Sequence, residues 1–280
     1  MDERPTPDTR GAPERPTPAA SPEPEAEAMW RGILMGTDAR FRWGRNVFKR
    51  LPSDPRCKLC ASPFHGPAGF VLQRMGHAPW PKNPKYCAGC FTMLQATHGG
   101  AEIPCSVLFA DIRGSTGIAE RITPGEFRNL LNRFYDVATR LLVARDGIVD
   151  KFVGDEVMAI FIPALAGESH AARAVDTARD LLEATGHTSG ETPWVPVGVG
   201  IATGTAYVGS VGTGETTELT ALGDIVNIGA RLASTARAGE ILVTGACADA
   251  AGLGTEVERG AVEVRGRTEP VEVASIRVWG

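Results

Sequence analysis

In 280 residues the chain carries 33 acidic side chains against 29 Lys and Arg, for a formal net charge of −4, and 43% of it is hydrophobic. That length and hydrophobic fraction exclude wholesale disorder and provide for one large core with small appendages. The longest apolar run, Val157 to Ala166, contains Pro163 and is too short to span a bilayer, and the N-terminus has no apolar h-region. The expectation is a cytoplasmic protein without membrane contact, whose six cysteines are reduced thiols or metal ligands rather than a disulfide framework.

In chain order, residues 1–28 come first. They hold seven prolines, seven acids and three arginines, with no apolar residue larger than Ala except Met1. Such a segment buries too little to offset its ordering entropy and reads as a disordered tail. Residues 29–100 carry 11 Lys and Arg against 2 acids, a net of +9, whereas residues 101–280 carry 15 against 24, a net of −9. The basic segment either docks on the acidic domain, meets an acidic partner such as nucleic acid, or is a solvated surface.

Within the basic segment, Cys57-Lys-Leu-Cys60 and Cys87-Ala-Gly-Cys90 are two CxxC pairs separated by 26 residues. One such turn sets two thiolates at the spacing of a tetrahedral ion, and two turns close a four-sulfur site. The intervening stretch is rich in Gly and Pro and poor in apolar periodicity, so a structural metal would supply the missing folding free energy. Zinc is the default ion, and an iron–sulfur cluster uses the same four thiolates. His65, His77 and His98 are alternative ligands, while Cys105 and Cys247 are isolated and expected to be buried as small apolar residues.

Residues 101–280 alternate strands and helices. Cys105-Ser-Val-Leu-Phe-Ala-Asp111 reads as a buried strand ending in a carboxylate, and Gly114-Ser115-Thr116 as a turn and helix start. Thr123-Pro124-Gly125-Glu126 is a helix entry, followed by Phe127, Leu130, Leu131, Phe134, Val137, Leu141 and Leu142 at helical spacing. Gly147–Phe152 and Val157–Ile162 read as strands joined at Gly154-Asp155, and residues 168–185 as a helix. Val195–Thr203 and Thr205–Val211 read as a hairpin turning at Gly204. Asp224–Arg237 is a helix ended by Gly239, Ile241–Thr244 a strand, and the tail 256–278 two more. This order predicts an α+β, ferredoxin-like βαββαβ sandwich with a C-terminal extension, preceded by the small four-Cys module.

Asp111 and Asp155 are expected at one sheet edge, where two carboxylates repel unless a cation lies between them. A metal pair is the usual device for in-line displacement at phosphorus. The plainer alternatives are a helix cap and a turn residue. Ile112-Arg113-Gly114-Ser115-Thr116 offers backbone N–H groups suited to phosphate. Asn227 and Arg231 lie four apart on a helix and share a face, where a neutral donor and a fixed cation could hold a ribose and a phosphoryl group.

Taken together, Phe109-Ala-Asp-Ile-Arg-Gly-Ser-Thr116, Lys151-Phe-Val-Gly-Asp-Glu156 and Thr220-Ala-Leu-Gly-Asp-Ile-Val-Asn-Ile-Gly-Ala-Arg-Leu232 resemble the class III nucleotidyl cyclases over about residues 103–278. The N-terminal portion resembles the Cys-rich extension of a group of bacterial members. The resemblance implies that Asp111, Asp155 and the Ile112 backbone hold two Mg²⁺ or Mn²⁺ ions, that Lys151 and Thr220 read the purine, and that Asn227 orients the ribose. It also implies that Arg231 stabilises the pentavalent phosphorus, in a homodimer with sites at the subunit interface. Lys151 as donor with Thr220 as acceptor suits adenine, so the expected activity is ATP to 3′,5′-cyclic AMP and pyrophosphate, in cyclic-nucleotide signalling. Thr220, where many adenylate members carry Asp, resembles the bicarbonate-responsive subgroup. The Gly212–Glu218 loop departs from the family in holding Glu215 and Glu218 and no basic residue. Competing functions are a weakly active or inactive nucleotide-binding sensor module and a guanylate cyclase. A diguanylate cyclase rests only on Gly154-Asp-Glu156. A nucleic-acid-binding protein rests on the basic, aromatic-bearing segment and ranks below the cyclase readings.

Overall fold

The computed structural model describes residues 24–51, 56–57, 60–81, 83–96, 99–188, 190, 192–212, 218–254, 257–263 and 269–278. The first elements are helices α1 (Pro24–Leu34), α2 (Ala39–Lys49) and α3 (Gly66–Leu72), the last running into a π-helical turn at Gln73–His77. A two-stranded ribbon, β1 (Pro79–Trp80) with β2 (Asn83–Cys87), and helix α4 (Ala88–Ala96) complete this part. Helix α1 takes in residues 24–28, which composition reads as tail; residues 1–23 of that tail lie outside the described residues.

The remainder begins with β3 (Gly100–Ile112), α5 (Ser115–Ala119), α6 (Pro124–Ala144), β4 (Ile148–Val153) and β5 (Glu156–Phe161). It continues with α7 (Pro163–Ala166), α8 (His170–Ala184), β6 (Val197–Val211), β7 (Glu218–Leu222) and α9 (Asp224–Thr235). The last elements are β8 (Glu240–Thr244), α10 (Gly245–Ala250), β9 (Glu258–Val262) and β10 (Val271–Arg277). Strands β3, β4, β5 and β6 with α6 and α8 form the expected βαββαβ unit. The eight-stranded sheet runs β4-β5-β3-β6-β8-β10-β9, with β7 added to β6. Helix α6 starts at the expected capping box, with Thr123 Oγ1 accepting from Glu126 N and Glu126 Oε2 accepting from Thr123 N at 2.8 Å.

Strand β6 corrects one reading. The segment expected to turn at Gly204 is one extended strand, paired antiparallel with β3 from Ile112↔Val197 to Gly100↔Gly209. Gly204 sits opposite Cys105 in unbroken register, so the partner strand, not local turn propensity, decides its conformation.

The sheet is buried on both faces because β3 alternates between two apolar layers. Leu108, Ala110 and Ile112 pack with α6, α8 and α10 through Phe134, Leu142, Val175, Leu181 and Cys247. Ile103, Cys105, Val107 and Phe109 pack with Ile228 and Leu232 of α9. Helix α9 crosses β6 at a point of glycine contact: a Cβ at Gly200 would lie 2.2 Å from Ala233 N and 2.3 Å from Gly229 O.

The Cys-rich segment shares this second layer. Trp30, Ile33, Leu34, Phe64 and Phe91 belong to the same buried cluster as Ala101, Ile103 and Val208, and Arg31 Nη1 donates to Glu102 O at 2.6 Å. Helix α1 packs on β3, and α4 on β6 and β7. The basic segment therefore docks on the sheet that follows it. Among the described residues no helix is long and apolar enough to cross a membrane.

Candidate functional site

The carboxylate end of the site is built by register. Asp111 stands opposite Glu156 in the β3–β5 pairing, which sets the preceding turn, Gly154-Asp155, beside the end of β3. Gly154 has φ +62°, the left-handed conformation that lets β4 reverse into β5. Ile112 N donates to Asp155 O at 3.3 Å and the Tyr135 hydroxyl donates to Gly154 O, fixing the turn from two sides. The structure thus brings Asp111 and Asp155 to one sheet edge, 44 positions apart in sequence.

Negative charge is crowded here. Burial, and then the neighbouring Asp155, push the Glu156 carboxyl up to about 7, with Arg113 opposing. The Arg113 guanidinium is ion-paired with Asp111, donates Nη1 to Ser234 O at 2.6 Å, and is held below its ordinary range by burial. Its buried Nε has no partner among the described residues. Asp111 and Asp155 offer the hard oxygen donors that a small divalent cation takes, while among the described residues only the four cysteines bring three or more ligand atoms within 4.8 Å of one another. Sequence reasoning missed Glu156 and Arg113 as members of this charge cluster, although both lie inside the motifs it quoted.

Of the expected phosphate-binding turn, two N–H groups are already spent, Ile112 on Asp155 O and Arg113 on Pro196 O at 2.8 Å. Those of Gly114, Ser115 and Thr116 open the short helix α5, with Gly114 at φ +68°.

Lys151 and Thr220 meet at a common carboxylate. Thr220 is buried, and its Oγ1 donates to Asp150 Oδ2 at 2.6 Å, while Lys151 Nζ lies 3.8 Å from the same oxygen. Strands β4 and β7 have β5, β3 and β6 between them in the sheet. At about 4.8 Å per strand a flat sheet would hold them roughly 19 Å apart. The sheet therefore curls, and the outer halves of β3 and β6 carry β7 over to β4. Sequence reasoning paired Lys151 with Thr220 and overlooked Asp150; a carboxylate inside an apolar strand was the available signal.

Asn227 and Arg231 are both exposed on α9, as their spacing predicts, and Arg113 ties the last turn of this helix to the carboxylate edge through Ser234. Phe152 and Val153 at the hairpin, and Leu222 on β7, are exposed large apolar residues flanking Lys151 and Thr220. The Gly212–Glu218 loop is described only at its ends, and Glu215 lies outside the described residues.

The four cysteines form a second candidate site. One sulfur from each of Cys57, Cys60, Cys87 and Cys90 lies within 4.8 Å of the others, and all four residues are buried. The Cys57–Cys90 and Cys60–Cys87 Sγ separations are 3.9 and 3.6 Å. A tetrahedral zinc with bonds of about 2.3 Å has sulfur edges of roughly 3.8 Å, so the donor set fits a single ion. The four buried sulfurs shift one another in opposite directions, Cys57 and Cys87 down and Cys60 and Cys90 up, because thiolates this close cannot all ionise without a cation between them. His77 Nδ1 approaches Cys87 Sγ at 3.4 Å; His65 is exposed, and His98 lies outside the described residues. Cys105 and Cys247 are buried singly, and burial pushes their thiols up to about 12 and about 11.

Comparison with known proteins fits this geometry. Residues 101–275 match the family model described as adenylate and guanylate cyclase catalytic domain. Adenylate cyclase 1 of Rhizobium meliloti is 35% identical over 133 residues, 45% of this chain and 20% of that protein. The crystal structure of the guanylyl cyclase Cya2 aligns with TM-score 0.56 and 28% identity over 63% of this chain and 93% of that one. That of the adenylyl cyclase CyaB from P. aeruginosa aligns with TM-score 0.56 and 27% identity over 63% and 94%. The chain spans a third or less of the length of the curated relatives it matches.

Proposed function

Because the chain belongs to the adenylate and guanylate cyclase catalytic-domain family, we propose that it converts ATP to 3′,5′-cyclic AMP and pyrophosphate. The observation that carries the choice of ATP is the Lys151–Asp150–Thr220 cluster. Adenine offers an acceptor at N1 and a donor amino group at C6, and Lys151, a donor only, with Thr220 as acceptor, answers that edge. Guanine presents the inverse pattern.

In this reading Asp111, Asp155 and the Ile112 carbonyl would hold two divalent ions, Mg²⁺ or Mn²⁺. Such ions, when bound, neutralise phosphate charge and increase the acidity of the attacking hydroxyl. Asn227 orients the ribose, Arg231 offsets the charge that builds on the α-phosphate, and the N–H groups of Gly114, Ser115 and Thr116 receive phosphate oxygens. The 3′-oxygen forms a bond to the α-phosphorus as the bond to the β-phosphate oxygen breaks, and the hydroxyl proton leaves to solvent.

Two copies of the chain complete each site. Lys151 and Asp155 flank one tight hairpin, and a single hairpin is a poor candidate to reach both the base and the phosphates of one nucleotide. A two-fold pair instead supplies the carboxylates from one subunit and Lys151, Thr220, Asn227 and Arg231 from its partner. The exposed Phe152, Val153 and Leu222 give that pairing an apolar face. The four-cysteine site holds one structural zinc in this reading, because a multi-iron cluster would spread its ligand sulfurs further apart.

The test is product analysis after incubation with each of the four NTPs, with Mg²⁺ and with Mn²⁺, with and without bicarbonate. Cyclic AMP as the dominant product is expected. Cyclic GMP as the dominant product would overturn the base assignment, and no cyclic nucleotide under any condition would favour a sensor role.

A further inference from the structure

Asp150 is placed in β4 by an irregularity. The β4–β5 register runs Val149↔Ala159 and then Lys151↔Met158, so a bulge leaves Asp150 without a partner position. Bulges re-aim side chains, and they concentrate beside functional sites. Here the bulge turns a carboxylate inward, where its side chain is 1% exposed. Only one of its oxygens is satisfied. Oδ2 takes the Thr220 hydroxyl at 2.6 Å and faces Lys151 Nζ, whereas Oδ1 is buried and has no partner among the described residues. An apolar residue at this place would avoid that cost, and a structural tie between β4 and β7 needs no second oxygen.

A hydroxyl has one proton. A carboxylate only accepts, so once the Thr220 O–H is given to Asp150 the oxygen of Thr220 can offer nothing but lone pairs. We propose that Asp150 is a positioning residue that sets base choice, by locking Thr220 as an acceptor. This rests on the reading of Lys151 and Thr220 as the base-reading pair. The 6-amino group of adenine finds an acceptor there. The 6-carbonyl of guanine meets the Thr220 lone pairs with a negative charge behind them, a penalty against the wrong base rather than an extra contact to the right one.

The experiment compares kcat/KM for ATP and for GTP in the 280-residue chain and in its Asp150→Asn variant. An amide at this position can donate to Thr220 and release its hydroxyl proton to face a carbonyl. The ATP-to-GTP ratio should fall by about tenfold or more, through a rise in the GTP value as well as a drop in the ATP value. Thr220→Ser, which keeps the hydroxyl, should hold the wild-type ratio. If Asp150→Asn fails to fold, Asp150→Ala decides in the same way, since removing the carboxylate also frees the Thr220 hydroxyl proton to face a carbonyl. An ATP-preferring wild type whose Asp150 variants lose activity equally toward both nucleotides would overturn the proposal and leave Asp150 as a strand tie. A wild type that prefers GTP would instead overturn the base-reading assignment beneath it.

Discussion

His170 shows how a single buried group sets a pH limit. Its Nδ1 lies 2.9 Å from Ser106 Oγ, which is 2.6 Å from Thr203 Oγ1, so a short polar chain crosses the core side of the sheet. Burial holds the imidazole below its ordinary range, against an opposing pull from Glu168, and burial does the same to His187. The unfolded chain takes up these protons near pH 6.5, while the folded chain resists them. The stability they contribute is therefore complete above about pH 6.5 and is lost as pH falls toward the lower folded value. Melting temperature should drop between about pH 7.5 and 5.5, and His170→Asn should flatten that drop. Equal slopes in the two proteins would show that His170 does not carry it. At this scale the sequence names residues and the structure supplies neighbours: the Asp155 turn lies beside the strand end that carries Asp111, Lys151 and Thr220 meet at Asp150, and Asn227 and Arg231 stand exposed on α9. Asp150 and Arg113 were not readable as part of the charge and hydrogen-bond pattern, because their partners Thr220 and Ser234 are 70 and 121 positions away.

Among elements, α9 and β6 depend on each other most closely. The helix that carries Asn227 and Arg231 rests on Gly200 with no room for a methyl group, since the obstructing atoms are backbone. Gly200→Ala should lift or tilt α9 and cost about 1–3 kcal/mol or more. Cyclase activity should fall well beyond what the loss of stability explains, while circular dichroism stays near wild type. A variant with normal kcat would mean that α9 does not need its present seat. Helices α6 and α8 and strands β3, β4 and β5 were legible because apolar periodicity and a capping box mark them. Strand β6 was misread because a glycine between two runs of β-formers looks locally like a turn, and only the facing strand overrides it. The helices before the sheet went unread for a different reason. They are short, from 7 to 11 residues, and Trp30, Ile33 and Leu34 of α1 find their cover only in the cluster they share with β3.

On the scale of the whole molecule, the Cys-rich segment and the sheet share one buried cluster rather than standing as separate cores. Metal removal should therefore be felt beyond the segment. A strong chelator at neutral pH, or Cys90→Ser, should lower the main melting transition, and elemental analysis of protein purified without chelator should find about one ion per chain. A main transition unmoved by metal loss would show that the segment contributes nothing to the stability of the sheet. Assembly yields the other prediction at this scale. Asp111→Ala and Arg231→Ala chains should each be inactive alone, and co-refolded mixtures should recover part of the wild-type turnover through heterodimers with one intact site. Verified heterodimers as inactive as their parents would exclude shared sites.

Strand β3 is also a problem of timing. Its sheet partner β6 follows 85 to 109 positions later, and β5 arrives 45 to 55 positions later. At ribosomal speeds of about 5–20 residues per second, β3 waits several seconds for its longest pairing with apolar side chains on both faces. Helix α1 is made before it and, in the folded chain, lies against it through Trp30, Ile33 and Leu34. The end of the nascent strand around Ala101 and Ile103 thus meets a cover made before it, while Val107 and Phe109 wait for α9 and the opposite face waits for α8. On that order of synthesis the preceding segment would shield this end of β3 first, shortening the interval in which it is open to pairing with another chain.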